Sequence, residues 1–497
     1  MSAPEAALPK ALPQPAAAAL VFVAAGAVLM LEILAVRLLA PYVGLTLETT
    51  TSIIGAVLAG IALGAAVGGY FADRLDTRLL IVGLLVGGGA LTLLTVPVIH
   101  WLGPGARGDG NLSALGITVA ALFPAAAVLS AVSPAVAHLQ LHNLHASGTI
   151  VGRLSAFATA GALVGTFGTG FVVVPLMPGS TAVLLIGAVL IVVGLALGLS
   201  GPLLSRPAVA AIAVLALGLG AVSASSASPC IEESKYHCLS IEQDPQRPSG
   251  YELILDDAHN SYVDVNDPTF LKYRYTRWIA HAIDVRYKGR EPLDVLFVGG
   301  GGFTLPRWLL ATRPGSDAHV LEVDGDVVAL DRERLGLHTS PHLRATVGDA
   351  RMTILDVPDH SADVVVGDAF SGYTIPWHLT TVEWNEEVKR VLRPGGMFAI
   401  NLIDHEPLDF LKAELATLMK TFKVVNMISP AYVGKVPTGG NVILVASDRP
   451  LPNLASRMGL ETEGLYDFPQ GELETLAGGA EPLRDDFAPV DQLRTTE

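Results

Sequence analysis

Apolar side chains run through the first 225 residues in blocks of about 18 to 24, separated by short polar turns. At 1.5 Å per residue, each block is long enough to cross a hydrocarbon core as a helix. The pattern predicts seven spans: Ala17–Ala40, Thr51–Tyr70, Leu79–Val98, Leu115–Ala137, Leu154–Val174, Thr181–Leu199 and Pro207–Ala224. The first block does not read as a cleaved leader, because its apolar core is too long and further spans follow.

After Ser225 the pattern changes. "KYHCLSIE", "YELILDD" and "NSYVDVND" are short, β-rich and bounded by turn residues, which predicts a small antiparallel domain. "PTFLKYRYTRWIAHAI" reads as a helix. From Val295 the strand-like runs "VLFV", "HVLEV", "LRATVG", "ADVVVGD" and "MFAINLI" alternate with helical segments, the signature of a parallel, helix-covered sheet. The expected order is a multi-pass α-helical membrane domain over 1–225, a small β-rich part with its helix over 226–290, an α/β Rossmann-like domain over 291–450, and a tail over 451–497.

Composition sharpens this division. Only 16% of the 497 residues are charged. The first 225 carry 7 Lys and Arg against 6 Asp and Glu, which leaves 25 against 41 of the chain's 32 and 47 for the remainder. So acidic a domain lacks the basic face that phosphate binding needs, which excludes nucleic acid as a partner and suits a cationic small molecule. With the amino terminus in the cytoplasm, the inner segments hold Lys10, Arg74, Arg78, Arg153 and Arg206, and the outer loops hold Arg107. That positive-inside bias predicts a cell-membrane protein whose soluble domain is extracytoplasmic. The two cysteines, Cys230 and Cys238, are spaced for a disulfide in an oxidising compartment; the alternative is two free thiols in a reducing one. They do not make a four-ligand zinc set with His237, and no metal is expected.

Within the spans, Gly60, Gly64 and Gly68 recur at four-residue steps and predict close helix packing. Glu32 and Arg37 are ionisable groups inside or near a span, the class that is paired or functional. The spacing of His138, His142 and His145 suits either a helical metal site or a polar surface loop.

The chemistry-bearing residues of the soluble part fall at strand ends. Gly299, Gly300, Gly301 and Gly302 follow the first strand, where small residues let backbone approach a ligand. Glu322 ends the second strand, about 20 residues on, where an acid commonly takes ribose hydroxyls. Asp349, with Ala350 beside it, ends the third, and Asp368 the fourth. Glycines with three acids at successive strand ends predict a nucleoside site; no phosphate-gripping lysine motif is present. The plain alternative is that the acids cap helices.

These residues resemble the spermidine synthases, aminopropyltransferases on a class I methyltransferase-like fold, over roughly residues 236–446. The whole chain resembles the membrane-fused spermidine synthase-like proteins, in "APYVG", "YVDVNDPTFLKYRYTRW", "GGGGFTLPR" and "RDDFAPV". The turn "GGYFADRLDTR" resembles a loop of major facilitator transporters, so the membrane domain is similar to half of such a transporter.

The resemblance implies decarboxylated S-adenosylmethionine, or S-adenosylmethionine, as co-substrate. It gives Glu322 the ribose, Asp349 the adenine amino group and Asp368 the attacking amine, and Asn260 falls at a cofactor-side glutamine of the family. It also places Tyr273, Ser371 and Tyr373 on the acceptor side. Here the chain departs from the family. Gly302 stands where an acid holds the aminopropyl end, Ser371 replaces the second acid of the D-x-x-D loop, and Arg274 lies where a diamine would be gripped.

The expected function is a membrane-anchored transferase that moves an aminopropyl group to an amine or other cationic acceptor through an altered polyamine pocket. The alternatives are methyl transfer from S-adenosylmethionine, and a transporter or sensor that binds polyamine or nucleoside without chemistry. The expected partners are the acceptor, the lipid bilayer and a second copy of the chain as a homodimer.

Overall fold

The structure, a computed structural model, describes residues 12–44, 47–106, 111–141, 147–200, 203–430, 439–452, 465–468 and 470–495. It divides into two compact units, Met1–Cys238 and Leu239–Glu497.

The first unit contains seven helices long and apolar enough to cross a membrane: α1 (Gln14–Val43), α2 (Thr49–Ala72), α3 (Thr77–Ala106), α4 (Leu112–Gln140), α5 (Ser147–Leu176), α6 (Gly179–Ser200) and α7 (Arg206–Ser225). Glycines set their closest approaches. A side chain at Gly60 would meet Ala126 Cβ at 2.9 Å, one at Gly68 would meet Ala131 Cα at 2.7 Å, and one at Gly64 would overlap the Ala127 carbonyl. The stripe of α2 is therefore the seam with α4, where backbones pack at a distance only small residues permit. Gly161 and Gly165 of α5 do the same against α1, as does Gly89 of α3 against Gly187 of α6.

Arg37, near the end of α1, donates from Nη1 to the Lys235 carbonyl at 2.6 Å and also to the Ser234 carbonyl. Glu233 accepts from the Ser180 amide at the start of α6 (3.1 Å), and His100 of α3 contacts Ser226 Oγ (3.1 Å). Cys230 and Cys238 form a disulfide across this segment. These contacts hold the post-α7 loop to the helices, so the compact unit closes at Cys238 rather than at the expected Ser225. At the other end of the bundle, Arg153 of α5 donates to Gln14 of α1 (3.0 Å), and His138 of α4 lies 3.2 Å from Thr77 of α3. His142 and His145 lie outside the described residues. Glu32 is half-buried in α1, and Arg37 bonds to the loop carbonyls.

In the second unit, β1 (Cys238–Gln243), β2 (Gly250–Leu255) and β3 (Ala258–Asp264) pair antiparallel, with Leu239 opposite Leu255 and Leu253 opposite Ser261. The expected helix over "PTFLKYRYTRWIAHAI" is shorter than its pattern: α8 begins at Arg274 and runs to Arg286. Asp264 accepts from the Asn266 and Asp267 amides (2.9 Å each), and Asp267 from the Thr269 amide (3.1 Å). These local side-chain bonds compete with helix and hold the segment as turns.

The large sheet contains β4 (Asp294–Val298), β5 (Asp317–Glu322), β6 (Leu343–Val347), β7 (Ala362–Gly367), β8 (Leu392–Asp404), β9 (Val424–Pro430), β10 (Gly440–Ser447) and β11 (Leu465–Phe468). Their order is β11-β9-β10-β8-β7-β4-β5-β6. β5–β4–β7–β8 and β5–β6 pair in parallel, whereas β8–β10, β10–β9 and β9–β11 pair antiparallel. Alternate residues feed two cores: Leu296, Val298 and Val365 on one face, and Val295, Phe297, Val364 and Val366 on the other. This two-sided burial is why these strands read as continuous apolar runs.

The expected tail over 451–497 is instead partly built into the fold. β11 closes the sheet edge with Ile428 opposite Asp467, and Leu473, Leu483 and Val490 are buried in the core. The "RDDFAPV" stretch docks through Arg484 to Glu383 (3.0 Å) and through Asp485 to the Thr381 hydroxyl (2.7 Å). β4 pairs with β5 on one side and β7 on the other, so the chain changes direction between β4 and β7. In such sheets the carboxyl ends of those two strands open a crevice.

Candidate functional site

A cavity of about 690 Å³ occupies that crevice. Gly299, Gly300 and Gly301 line it after β4, Asp368 and Phe370 after β7, Asn401 from β8 and Asn441 from β10. Asn260 on β3 and residues Lys272 to Thr276 at the start of α8 complete much of the wall, with Tyr373 beside them.

Gly299 has φ +94° and Gly301 φ +47°, backbone settings that glycine adopts without strain. A side chain at Gly299 would stand 2.5 Å from the Asp368 carbonyl oxygen, so a bare backbone is what lets the ends of β4 and β7 meet. Asn260 is packed on the loop, since a Cβ at Gly301 would lie 2.6 Å from its Oδ1. Gly302 faces elsewhere. Its amide donates to Ser261 Oγ (2.7 Å), and a Cβ there would meet Val263 Cγ2 at 2.5 Å. The residue at 302 is thus directed at β3 rather than into the cavity, and close packing requires it to be small.

Asp368 has a distinctive environment. Asn401 donates from Nδ2 to its Oδ1 at 2.9 Å, and Asn401 Oδ1 in turn accepts from Asn441 Nδ2 at 2.9 Å, which fixes how the amide is turned. The Tyr275 hydroxyl hydrogen-bonds to the same carboxyl. Burial pushes the carboxyl up to about 7, against the opposing pull of the Asn401 and Tyr275 bonds. Such a group switches between acid and base near neutral pH, a property suited to proton transfer. Tyr273 stacks on Tyr275 with ring centroids 6.1 Å apart and donates to Glu252 at 2.9 Å.

Asn401→Ala is expected to shift the pH profile of any turnover upward. The amide donor favours the charged carboxylate, so its loss raises the Asp368 pKa further. Activity that needs ionised Asp368 is lost as pH falls through about 7 in the native chain, and at a higher pH in the variant. The linked effect on stability has the opposite sense. A carboxyl raised above its ordinary value holds a proton that the unfolded chain releases, so its contribution declines as pH rises from the ordinary carboxylate range towards 7. An unmoved acid limb in the variant would separate Asp368 from the profile.

Other residues expected at the site lie off the cavity wall. Glu322, at the end of β5, is buried beneath the loop, where Oε2 accepts from the Gly300 amide (2.6 Å) and Oε1 from the Asp324 amide (2.9 Å). Burial raises its carboxyl, and these bonds oppose the rise. Asp349 caps the short helix Ala350–Thr353 by accepting from the Arg351 amide (2.9 Å), and it lies 3.3 Å from His378 Nε2. Ser371 sits in an exposed turn bonded to Thr374, beside Gly372 and Tyr373. The sequence reading missed Asn401 and Asn441. Their signal was a polar amide inside an otherwise apolar strand, where a buried amide must find partners.

The family described as "Methyltransferase domain" matches residues 296–400. A polyamine aminopropyltransferase of Vibrio vulnificus is 27% identical over 216 residues, covering 42% of this chain and 64% of that protein, less than two thirds of its length. Polyamine aminopropyltransferase 2 of Streptomyces coelicolor is 28% identical over 454 residues, covering 84% of this chain and 79% of that protein. That share exceeds what the second unit alone supplies, so the match extends into the apolar helices. A crystal structure of a probable spermidine synthase from Corynebacterium glutamicum aligns with a TM-score of 0.48 at 29% identity, covering 51% of this chain and 95% of that one. The relatives and the domain match support a spermidine synthase-like protein with a methyltransferase-like Rossmann α/β fold.

Proposed function

We propose that this chain is a membrane-anchored transferase. Its second unit binds an S-adenosyl-type sulfonium nucleoside and passes an aminopropyl group to an amine. The observation that carries this reading is the partly buried Asp368 carboxyl, bonded by Asn401 and Tyr275 and placed against the glycine loop at the carboxyl ends of β4 and β7. Outward from that point the strands run β4, β5, β6. A nucleoside laid across their ends would meet the loop first, with Glu322 beneath the loop on the ribose side and Asp349 beyond it on the base side.

In the proposed step the acceptor nitrogen attacks the carbon beside the sulfonium. A C–N bond forms, the C–S bond breaks, and its electron pair stays on sulfur as a neutral thioether. The nitrogen gains a positive charge and loses its proton to the Asp368 carboxylate. Tyr275 and Asn401 fix the carboxylate, and holding the nitrogen in line with the C–S bond supplies the orientation part of the acceleration. The methyltransferase-domain match over residues 296–400 favours a second reading, attack on the sulfonium methyl. Incubating the purified full chain with each donor and reading acceptor mass separates them: a gain of one aminopropyl unit supports the first and a gain of one methyl the second. Neither gain with any amine tried would count against transfer.

The membrane assignment rests on α7. Only Ser223 of that helix is buried, while Val214, Leu215 and Leu217 are 69%, 63% and 74% exposed. So bare an apolar helix is favourable in hydrocarbon and costly in water. The contacts of α1, α3 and α6 with the post-α7 loop fit an alternating path that returns every second helix end to one side. In intact cells, a membrane-impermeant maleimide is expected to label Cys230 and Cys238 only after external reduction. Labelling without reductant contradicts the disulfide but not the placement, whereas labelling only after lysis contradicts the extracytoplasmic placement.

A further inference from the structure

The segment from Pro268 to Lys272 has no regular structure, and α8 begins directly after Tyr273. Tyr273 is extended (φ −73°, ψ 139°), and its side chain does not cap the helix. The side chain turns to the small sheet instead, where its hydroxyl donates to Glu252 Oε1 of β2 at 2.9 Å. The first turn of α8 is therefore placed by bonds made outside the helix. Lys272 contributes two of them, to Asp244 (3.2 Å) and Glu252 (3.5 Å), but its side chain is 38% exposed, and such pairs fix little. The Glu252 side chain is only 20% exposed, and a hydrogen bond to a carboxylate is of the stronger kind. On its other side the Tyr273 ring stacks on Tyr275, with centroids 6.1 Å apart and planes 23° from parallel, and the Tyr275 hydroxyl bonds to Asp368. The stacked pair is thus held at one end by Glu252 and bears on Asp368 at the other.

We infer that Glu252, which is not on the cavity wall, is a positioning residue for the chemistry at Asp368: by holding the Tyr273 hydroxyl it keeps Tyr275 within bonding distance of that carboxyl. The small antiparallel sheet thereby orients the proton acceptor without touching substrate. The inference rests on the reading of Asp368 as that acceptor. Tyr275 favours the ionised carboxylate, so releasing it raises the Asp368 pKa. The other titratable groups on the wall are His259, Lys272, Tyr273, Arg274, Tyr275 and Tyr373. Glu252 also pairs with His259 (3.2 Å), so removing its charge acts on this wall electrostatically as well as through Tyr273. The two effects have opposite signs, because loss of a nearby negative charge lowers the pKa of a carboxyl.

The test is the titration of Asp368 itself, read on the full chain in detergent. A water-soluble carbodiimide with glycine ethyl ester amidates the protonated carboxyl, and peptide mass gives the extent at Asp368 across pH. The native midpoint is expected near pH 7. Tyr273→Phe keeps the ring and every charge but loses the bond to Glu252, and should raise the midpoint by about 0.3 to 1 pH unit, the scale of one weakened hydrogen bond. Glu252→Ala and Glu252→Gln lose the same charge, but only glutamine still accepts from Tyr273, so the alanine midpoint should lie above the glutamine midpoint by a similar amount. In a Tyr275→Phe background, Tyr273→Phe should add no further shift. An unmoved midpoint in Tyr273→Phe, equal midpoints in Glu252→Ala and Glu252→Gln, or an undiminished shift in the Tyr275→Phe background each overturns the inference. Both partners of the bond are varied, so if Glu252→Ala does not fold, the Tyr273→Phe shift decides. Labelling needs no turnover: absence of transfer with these midpoints in place counts against the transferase reading, while unmoved midpoints in a chain that transfers count against the inference alone.

Discussion

Asp368→Asn is expected to lower turnover by about 10²- to 10⁴-fold, the usual scale for losing a positioned proton acceptor, while nucleoside affinity changes little. The substitution keeps the shape of the side chain and leaves Asn401 and Tyr275 room to bond to it. What it removes is the ability to take a proton from the attacking nitrogen. Asparagine also lacks the titration near pH 7, so residual activity should lose its acid limb. The check is steady-state kinetics across pH, paired with direct binding of methylthioadenosine. A variant that keeps more than about a third of native turnover would remove Asp368 from the chemistry, because general catalysis by such a group accounts for at least about 10²-fold.

Gly299→Val is expected to have the second large effect, and on binding rather than on rate alone. The residue adopts φ +94°, and its Cβ would lie 2.5 Å from the Asp368 carbonyl oxygen and 2.8 Å from the carbonyl carbon. Those atoms are backbone and cannot rotate aside. Relief requires the ends of β4 and β7 to separate, which displaces Asp368 and opens the crevice. Nucleoside affinity should fall at least about 10-fold, with a melting temperature lower by several degrees, since each kcal/mol is worth about 2–4 °C in a unit of this size. Gly289→Ala is the control. Gly289 has a similar φ of +92° but nothing within 4 Å of an added Cβ, so it isolates the backbone penalty from the clash. Equal effects of the two substitutions would show that the meeting of β4 and β7 is not what matters.

The parts of this molecule that were readable from sequence are those written in period and composition. Apolar runs of helix length gave α1 to α7, and apolar runs ending in glycine or acid gave β4 to β7 with their strand-end residues. What escaped depends on direction and on competition between local bonds. The four glycines are identical as letters, yet Gly301 borders the cavity while Gly302 faces Val263, a difference set by dihedral angles. The run from Pro268 to Tyr273 has helical periodicity, but the side chains of Asp264 and Asp267 hold the backbone before it in turns. Asn401 is a polar residue inside an apolar strand, and its partner Asp368 lies 33 residues away in sequence. Residues 465–468 were read within a tail because an edge strand of four residues has too short a pattern to register, and pairing with β9 is what makes it a strand.

Glu322 and Asp349 show the same boundary from the other side. Their positions at successive strand ends were legible, but their present bonds were not. Glu322 holds the Gly300 amide, and Asp349 caps a short helix, as the simpler alternative to ligand binding expected of such acids. Both roles are compatible with a nucleoside lying across the strand ends, since a carboxylate has more lone pairs than these bonds use.

The central claim is that the crevice between β4 and β7 holds a sulfonium nucleoside, and calorimetric titration of the purified full chain tests it most directly. Saturable one-to-one binding of methylthioadenosine and of at least one of S-adenosylmethionine and its decarboxylated form is expected, retained in Asp368→Asn and weakened at least about 10-fold in Gly299→Val. No heat of binding from any of the three nucleosides at millimolar concentration, with the chain shown to be folded, would contradict it.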